Sequence, residues 1–182
     1  EAPVVWNDPT TLYALFTKAD MAAYQWRVLP ANGTENQPWE KTGEMAEGRT
    51  RFGWTQLDAS KVLVAGGYNG QLNGLDTAEI YDAATETWSA TGKLNNAAYD
   101  VALVALEDGT AVSLGGQNAE GKLDSIELFK DGEWTVAGNL VEKKAMASAI
   151  VNGQNIYVIG GYAGGPTYYD TIEVVTGKDG VA

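Results

Sequence analysis

Short apolar runs recur along the chain, and each is bounded by Gly, Asp or Asn. The clearest stretch begins with KVLVAGG at 61–67, continues through a polar loop to AEIYD at 78–82, and reaches a tryptophan at Trp88. The same order returns at 110–134 and, without the tryptophan, at 155–175. Apolar runs of this length between turn residues predict β-strands, so the pattern indicates an all-β chain.

The pattern places strands along most of the chain. The first residues predict a hairpin at 2–16 and a strand at 22–29. Residues 140–150 (LVEKKAMASAI) favour a helix by composition, but their place in the repeat predicts a strand. From residue 45 onward the expected strands are 51–57, 61–65, 76–81, 87–91, 99–106, 110–114, 124–130, 133–137, 145–151, 155–159 and 170–175.

Four markers repeat in phase. They are the Gly-Gly pairs at Gly66-Gly67, Gly115-Gly116 and Gly160-Gly161, the tryptophans Trp39, Trp88 and Trp134, the triplets that begin at Gly43, Gly92 and Gly138, and the four-residue motifs that run from Asp76 to Glu79, from Asp124 to Glu127 and from Asp170 to Glu173. A period of roughly 40–50 residues with four strands per unit is typical of propeller blades. The expected architecture is therefore one propeller domain over 1–182, with blade units at about 1–43, 44–91, 92–137 and 138–182.

The repeated residues have structural explanations. Gly-Gly ends a strand where the chain turns sharply and where side chains would crowd the neighbouring blade, which only glycine tolerates. The tryptophans Trp39, Trp88 and Trp134 are expected to fill the widening gap between adjacent blades. These residues are predicted to build the repeat rather than to perform chemistry.

Composition excludes several classes of function. The net charge is -12, which argues against nucleic-acid binding and against docking to anionic lipid. The sequence has no Cys and no His, so thiol chemistry, His-based triads and His/Cys metal sites are excluded. No apolar run reaches the roughly 18 residues of a membrane span. We expect no cofactor, no metal and no catalytic residues.

The motifs VLVAGG and EIYDAATETW in the second unit resemble kelch repeats. VSLGG with IELFKDGEW in the third unit and YVIGG with IEVV in the fourth resemble the same family. The first unit departs most, because Phe16-Thr17 stands where Gly-Gly would be. The family's basic residue at the start of the inner strand matches Arg49 and Lys144, whereas Ala98 breaks the series. The resemblance implies an all-β, kelch-type β-propeller that acts as a protein-interaction platform or as the body of a carbohydrate-active enzyme.

The repeats supply about four blades, three of them complete and the last without its outer strand. Such a chain could close as a small four-bladed ring, form part of a larger propeller, or leave open blade edges that partners cover. The last two alternatives are favoured together. The expected partners are proteins that cover the open edges or the loop face, and a homo-oligomer is a further option.

Because strands alternate in direction, the loops after Gly-Gly and the loops between blades should emerge on one face. This face would gather Tyr and Asn side chains, which suit binding interfaces. The alternative is ordinary polar loop decoration. The candidate binding residues are Tyr68, Asn69, Gln71, Tyr99, Gln117, Asn118, Tyr162, Tyr168 and Tyr169, with Asp100 beside them.

Two sets of carboxylates invite a chemical interpretation. Asp76, Asp124 and Asp170 could hold Ca²⁺, but capping of each loop by hydrogen bonds to backbone N–H groups is the favoured explanation. Glu79, Glu127 and Glu173 occupy equivalent places on separate units, so we interpret them as repeat structure that pairs with Arg49 or Lys144.

The leading hypothesis is a non-enzymatic interaction or scaffold subunit of a larger assembly. The alternative is a carbohydrate-binding or carbohydrate-active propeller fragment that resembles sugar oxidases or sialic-acid epimerases. The start Glu1-Ala2-Pro3 is compatible with a chain processed into a secretory, periplasmic or organelle lumen, such as the thylakoid lumen, and a cytosolic location stays open.

Overall fold

The computed structural model describes residues 42–176. The hairpin expected at 2–16, the strand at 22–29 and the role of Trp39 lie outside these residues. Between residues 42 and 176 the chain forms strands, turns and loops, and no helix there could span a membrane. Residues 43–176 belong to one compact unit. The assignment of the whole chain to a single domain stays a prediction.

The first described sheet, blade A, contains four antiparallel strands in sequential order. Asp58 closes its first hairpin by accepting hydrogen bonds from the backbone N–H groups of Ser60 and Lys61, both at 2.8 Å. This is the turn chemistry that the sequence predicts for an aspartate between two strands. The strands are β1 (Gly53–Gln56), β2 (Lys61–Ala65), β3 (Ala78–Asp82) and β4 (Thr87–Ala90).

The second sheet, blade B, repeats this plan, and its outer strand carries a register shift between Val136 and Gly138. Two extra short strands form a hairpin in the loop after Gly115-Gly116, where the sequence predicted only a loop. The main strands are β5 (Ala102–Ala105), β6 (Ala111–Leu114), β9 (Ser125–Lys130) and β10 (Glu133–Asn139), and the hairpin consists of β7 (Gln117–Asn118) and β8 (Gly121–Lys122).

The third sheet, sheet C, has three strands among the described residues. The stretch with helical composition enters it as a loop and a strand, so the repeat predicted its structure better than local propensity did. The loop after Gly160-Gly161 again folds as a short hairpin. The strands are β11 (Ser148–Asn152), β12 (Asn155–Ile159) and β15 (Ile172–Thr176), and the hairpin consists of β13 (Tyr162–Gly164) and β14 (Thr167–Tyr168).

Two hydrophobic cores lie between successive sheets. The core between blades A and B contains Leu63, Ala65, Ala78, Leu94, Ala111, Phe129 and Trp134. The core between blade B and sheet C contains Ala102, Val104, Val112, Leu114, Ile126, Leu140, Ile156 and Val158. Alternate residues of each central strand therefore face opposite neighbours, as strand geometry requires.

The Gly-Gly pairs of blades A and B each lie against the segment that leads into the next sheet. Gly66 and Gly67 have φ values of 65° and 111°, in the left-handed region that favours glycine. A Cβ on Gly66 would lie 2.5 Å from the backbone oxygen of Ala98, which belongs to the segment leading into blade B. The N–H of Gly67 donates a 2.8 Å hydrogen bond to that same oxygen. The pair therefore permits backbone contact between blades.

Candidate functional site

The repeated glutamates are structural carboxylates. Glu79 is 3% exposed, and its carboxylate accepts from the Arg49 guanidinium at 2.7 Å and from the N–H of Ala46 at 2.8 Å. Arg49 is fully buried and also donates to the carbonyl oxygens of Gly66 and Thr77. Arg49 and Glu79 therefore fasten the segment that leads into blade A onto its third strand.

In blade B the segment that leads into the sheet is fastened to the third strand without a cation. Ala98 stands where the basic residue would be, and Glu127 is 2% exposed. Its carboxylate accepts from the backbone N–H groups of Asn95 and Asn96 at 2.7 and 2.9 Å. It also accepts from their side-chain amides, at 3.1 and 2.7 Å. Four amide donors thus take the place of one guanidinium, and together they satisfy the hydrogen-bonding capacity of the buried carboxylate.

In sheet C the repeated glutamate again forms an ion pair with a basic residue. The ammonium of Lys144 is buried, 2.7 Å from Glu173 and 3.0 Å from Glu142. Burial alone would lower the pKa of Lys144, but its pairing with Glu173 and Glu142 outweighs burial and holds the pKa above its ordinary value. The predicted pairing with Arg49 or Lys144 is thus present for Glu79 and Glu173 but not for Glu127.

Asp76 differs from the expected role. The carboxylate of Asp76 lies 3.2 Å from the exposed ammonium of Lys93, so its side chain makes an ion pair where a backbone cap was expected. The backbone oxygens of Asp76 and Asp124 instead accept from the N–H groups of Leu94 and Leu140. Among residues 42–176, no three Asp or Glu side chains cluster in a way that could hold a metal ion.

The loop face is built by a repeated backbone pairing. The residue that follows each Gly-Gly forms a β-bridge with the segment that leads into a sheet. These bridges are Thr50 with Tyr68, Tyr99 with Gln117, and Ala145 with Tyr162. Because these bridges recur once per repeat, they bring loops of three successive sheets to the same end of the molecule. The expectation that both loop sets share a face is thus confirmed for the described residues.

Next to these bridges, three residues in equivalent positions have left-handed backbone conformations. The φ values are 56° for Arg51, 58° for Asp100 and 57° for Met146. The N–H of Asp100 donates to the oxygen of Arg51 at 2.7 Å, and the N–H of Met146 donates to the oxygen of Asp100 at 3.0 Å. Non-glycine residues in this conformation are uncommon and are enriched at functional sites.

Arg51 joins two of the predicted tyrosines. Its guanidinium carbon lies 4.6 Å from the ring centre of Tyr99 and 5.9 Å from that of Tyr68. The two rings meet edge to face at 5.4 Å. A bidentate pair with Asp100 fixes the guanidinium, and this hydrogen bonding raises the pKa of Arg51. The side chain of Arg51 is still 39% exposed, so the charge is held in place and accessible.

Asp100 extends the arrangement to the next two sheets. Its carboxylate, 7% exposed, also accepts from the side-chain amide of Gln117, whose oxygen accepts from the ammonium of Lys122. Lys122 in turn lies 4.8 Å from the ring centre of Tyr162. We refer to this connected set as the loop-face cluster; it consists of Arg51, Tyr68, Tyr99, Asp100, Gln117, Lys122 and Tyr162.

The other candidate residues are outside the loop-face cluster or at its rim. Asn69 and Asn118 brace their own loops, because their side-chain oxygens accept from the N–H groups of Gln71 and Glu120. Tyr168 is 74% exposed and packs on Tyr162 at 5.3 Å, at the rim of the cluster. The ring of Tyr169 lies instead over the ammonium of Lys144, at 4.7 Å.

Sequence analysis missed both cations of the cluster, Arg51 and Lys122. Arg51 had a detectable signal, because it occupies the repeat position of Asp100, which was already placed on this face. Lys122 had none, since it reaches the cluster only through the β7–β8 hairpin. With two cations and one largely buried carboxylate, the cluster presents net positive charge on a chain whose net charge is -12. Positive charge beside tyrosine rings suits carboxylate-bearing ligands.

Comparisons with known proteins agree with the repeat. Residues 58–95 match the family model described as the Kelch motif. The chain is similar to Kelch-like protein 23 of Homo sapiens, with 30% identity over 130 residues. It is also similar to Kelch-like protein 7 of Rattus norvegicus, with 32% identity over 92 residues. These matches cover 69% and 50% of this chain but only 23% and 16% of the two relatives.

A solved structure supports the fold. The structure of YjhT matches with a TM-score of 0.66 and 15% sequence identity, over 75% of this chain and 45% of that one. The likeness concerns the fold alone. Together with the sheets described above, it confirms an all-β, partial propeller architecture of the kelch type.

Proposed function

This chain belongs to the kelch-repeat family, and we propose that it is a protein-interaction module that binds its partner through the loop-face cluster. The proposal rests chiefly on one observation, the exposed guanidinium of Arg51 held over Tyr99 by a bidentate pair with Asp100. A charge fixed in this way loses little freedom on binding, which favours affinity. Kelch-like relatives with similar sequences support a binding role.

We further propose that the preferred segment of the partner carries carboxylates. Arg51, exposed, and Lys122, half-buried, supply two positive charges, whereas the chain as a whole is strongly acidic. An acidic segment would therefore be repelled elsewhere on the surface and attracted at the cluster. The tyrosines Tyr68, Tyr99 and Tyr162 supply flat, rigid contact area beside these charges.

We propose no chemical step for this site. Its groups bind to one another in a continuous series of hydrogen bonds and ring contacts, and the carboxylate of Asp100 accepts from Arg51 and from Gln117. A general base must reach its substrate, whereas the side chain of Asp100 is 7% exposed and is already paired with the cation of Arg51. A non-enzymatic subunit that holds a partner within a larger assembly is therefore the function that this geometry supports best.

A peptide selection tests the proposal. Peptides would be selected from a random displayed library on the full chain and then titrated against it by fluorescence anisotropy. We expect the selected peptides to be enriched in Asp and Glu. We expect Arg51→Ala to weaken their binding by about tenfold or more, since charge-assisted hydrogen bonds at an interface contribute about 1.5–3 kcal/mol.

The matched control is Lys61→Ala, which removes an exposed cation at the opposite end of blade A. This variant should bind the selected peptides as the unchanged chain does. Peptides without carboxylates, or equal loss in both variants, would contradict the proposal.

The carbohydrate alternative has one observation in its favour, because tyrosine rings beside polar groups also suit sugars. It predicts that glycans change the tyrosine and tryptophan fluorescence of the chain in a saturable way and compete with the selected peptides. A glycan titration without any change in fluorescence would remove this alternative.

A further inference from the structure

Met146 occupies the same repeat position as Arg51 and Asp100. Each of the three directly follows the residue that forms the β-bridge to the loop after Gly-Gly, and each has a φ between 56° and 58°. Glycine adopts this left-handed conformation without strain, as Gly66 and Gly115 do. A side chain is therefore present at all three positions in spite of backbone strain, and strain of this kind clusters at functional sites.

The side chain of Met146 faces solvent beside the loop-face cluster. It is 55% exposed, and it belongs to neither hydrophobic core of residues 42–176. A single exposed apolar side chain is common on protein surfaces. The significance of Met146 therefore comes from its position next to the cluster and not from its exposure alone.

The backbone holds Met146 next to two members of the loop-face cluster. The N–H of Met146 donates to the oxygen of Asp100 at 3.0 Å. The preceding residue, Ala145, is fully buried and exchanges two backbone hydrogen bonds with Tyr162, at 2.7 and 3.1 Å. Met146 is thus anchored on both sides, so its side chain extends the cluster by an apolar group whose backbone position is fixed.

Met146 lies within reach of the same extended peptide segment as Arg51. The N–H of Asp100 donates to the oxygen of Arg51 at 2.7 Å, so the three backbones lie side by side. Hydrogen-bonded backbones are about 4.7–4.9 Å apart, which puts the backbone of Met146 roughly 10 Å from that of Arg51. The guanidinium of Arg51 shortens this separation, because it lies over Tyr99 of the next blade. An extended segment rises about 3.3 Å per residue, so two or three residues span the separation.

The two side chains favour opposite chemistry in a partner. The guanidinium of Arg51 attracts a carboxylate. The flexible thioether of Met146 packs on aliphatic and aromatic side chains and adapts to their shape. Asp100 lies between them in the repeat, but its carboxylate is 7% exposed and paired with Arg51, so it presents little negative charge to an acidic segment.

We propose that Met146 is a specificity-determining residue of the loop face. The preferred partner segment carries an aliphatic or aromatic side chain two or three residues from the carboxylate that contacts Arg51, and this side chain packs on Met146. The inference rests on the function proposed for the loop-face cluster and specifies the partner further. Burial of the apolar side chain adds affinity that does not depend on charge.

The acidic peptides selected on the full chain provide the probe. They should carry an aliphatic or aromatic residue two or three positions from an Asp or Glu. The tightest of them is then resynthesised with alanine at each position in turn. Alanine in place of the apolar residue should weaken binding by about fivefold or more, as loss of a buried apolar side chain does.

Variants of the chain assign this loss to Met146. Met146→Gln keeps the unbranched shape but is polar, so it should weaken the selected peptide by a similar factor and leave binding of the alanine peptide unchanged. Met146→Leu restores an apolar side chain and should bind nearly as tightly as the unchanged chain. The matched control is Val136→Gln, which removes another exposed apolar side chain, on strand β10, and should not change binding.

Salt dependence and Arg51→Ala separate this inference from the function on which it rests. About 0.5 M sodium chloride should reduce the contribution of Arg51 but not that of Met146, because salt screens charges. If Arg51→Ala weakens binding but Met146→Gln and the alanine peptide do not, the inference is overturned and the proposed function stands. If Arg51→Ala binds the acidic peptides as the unchanged chain does, both are overturned.

Discussion

Glu79→Ala is expected to cost about 3–5 kcal/mol in the free energy of unfolding, because it leaves the fully buried Arg49 guanidinium without its counter-charge. It also deprives the N–H of Ala46 of its acceptor. Urea unfolding followed by tryptophan fluorescence measures this loss directly.

A double-mutant cycle supplies the control. In an Arg49→Met background, Glu79→Ala should lower the free energy of unfolding much less, because no buried positive charge remains to be neutralised. If the losses of unfolding free energy from Glu79→Ala and Arg49→Met were additive, the ion pair would not fasten the segment that leads into blade A.

Gly115→Ala is expected to destabilise the chain more than Gly160→Ala. Both glycines have a φ of 62°, so the left-handed backbone penalises alanine equally, by about 1–2 kcal/mol. A Cβ on Gly115 would also lie 2.5 Å from the backbone oxygen of Lys144, whereas on Gly160 the nearest described atom is 3.3 Å away. Overpacking against backbone adds about 1–3 kcal/mol.

The comparison isolates contact between blades from conformational strain, since the two positions are equivalent in the repeat. Urea unfolding of both variants measures the two costs side by side. Equal losses of unfolding free energy in Gly115→Ala and Gly160→Ala would mean that the close approach of Lys144 to Gly115 does not constrain this position.

The repeat made most of the fold predictable. Residues 61–65 and 155–159 form strands at the expected bounds, and the helix-favouring stretch before Ser148 does not form a helix. Phase within a repeat reports tertiary packing, which local propensity does not. The short hairpins after Gly116 and Gly161 were missed because strands of two or three residues leave no alternating pattern.

The candidate site was only partly predictable. Tyr68, Tyr99, Gln117 and Tyr162 were predicted to share one face and do so, because the position of a loop follows from strand direction. Arg51 was assigned to a strand, so its left-handed conformation and its pair with Asp100 were not foreseen. Such contacts join residues 49 positions apart, and no local pattern encodes them. Asn69 and Asn118 brace their own loops, and their predicted role in binding stays a prediction.

The most direct test of the proposed binding face is the hydrogen-exchange footprint of a selected acidic peptide on the full chain. The proposal predicts protection at 50–51, 68, 99–100, 117–118 and 162, which lie in or beside the loop-face cluster. Protection at the hairpin turns 57–61, 82–87 and 106–110, at the opposite end of the blades, would contradict it.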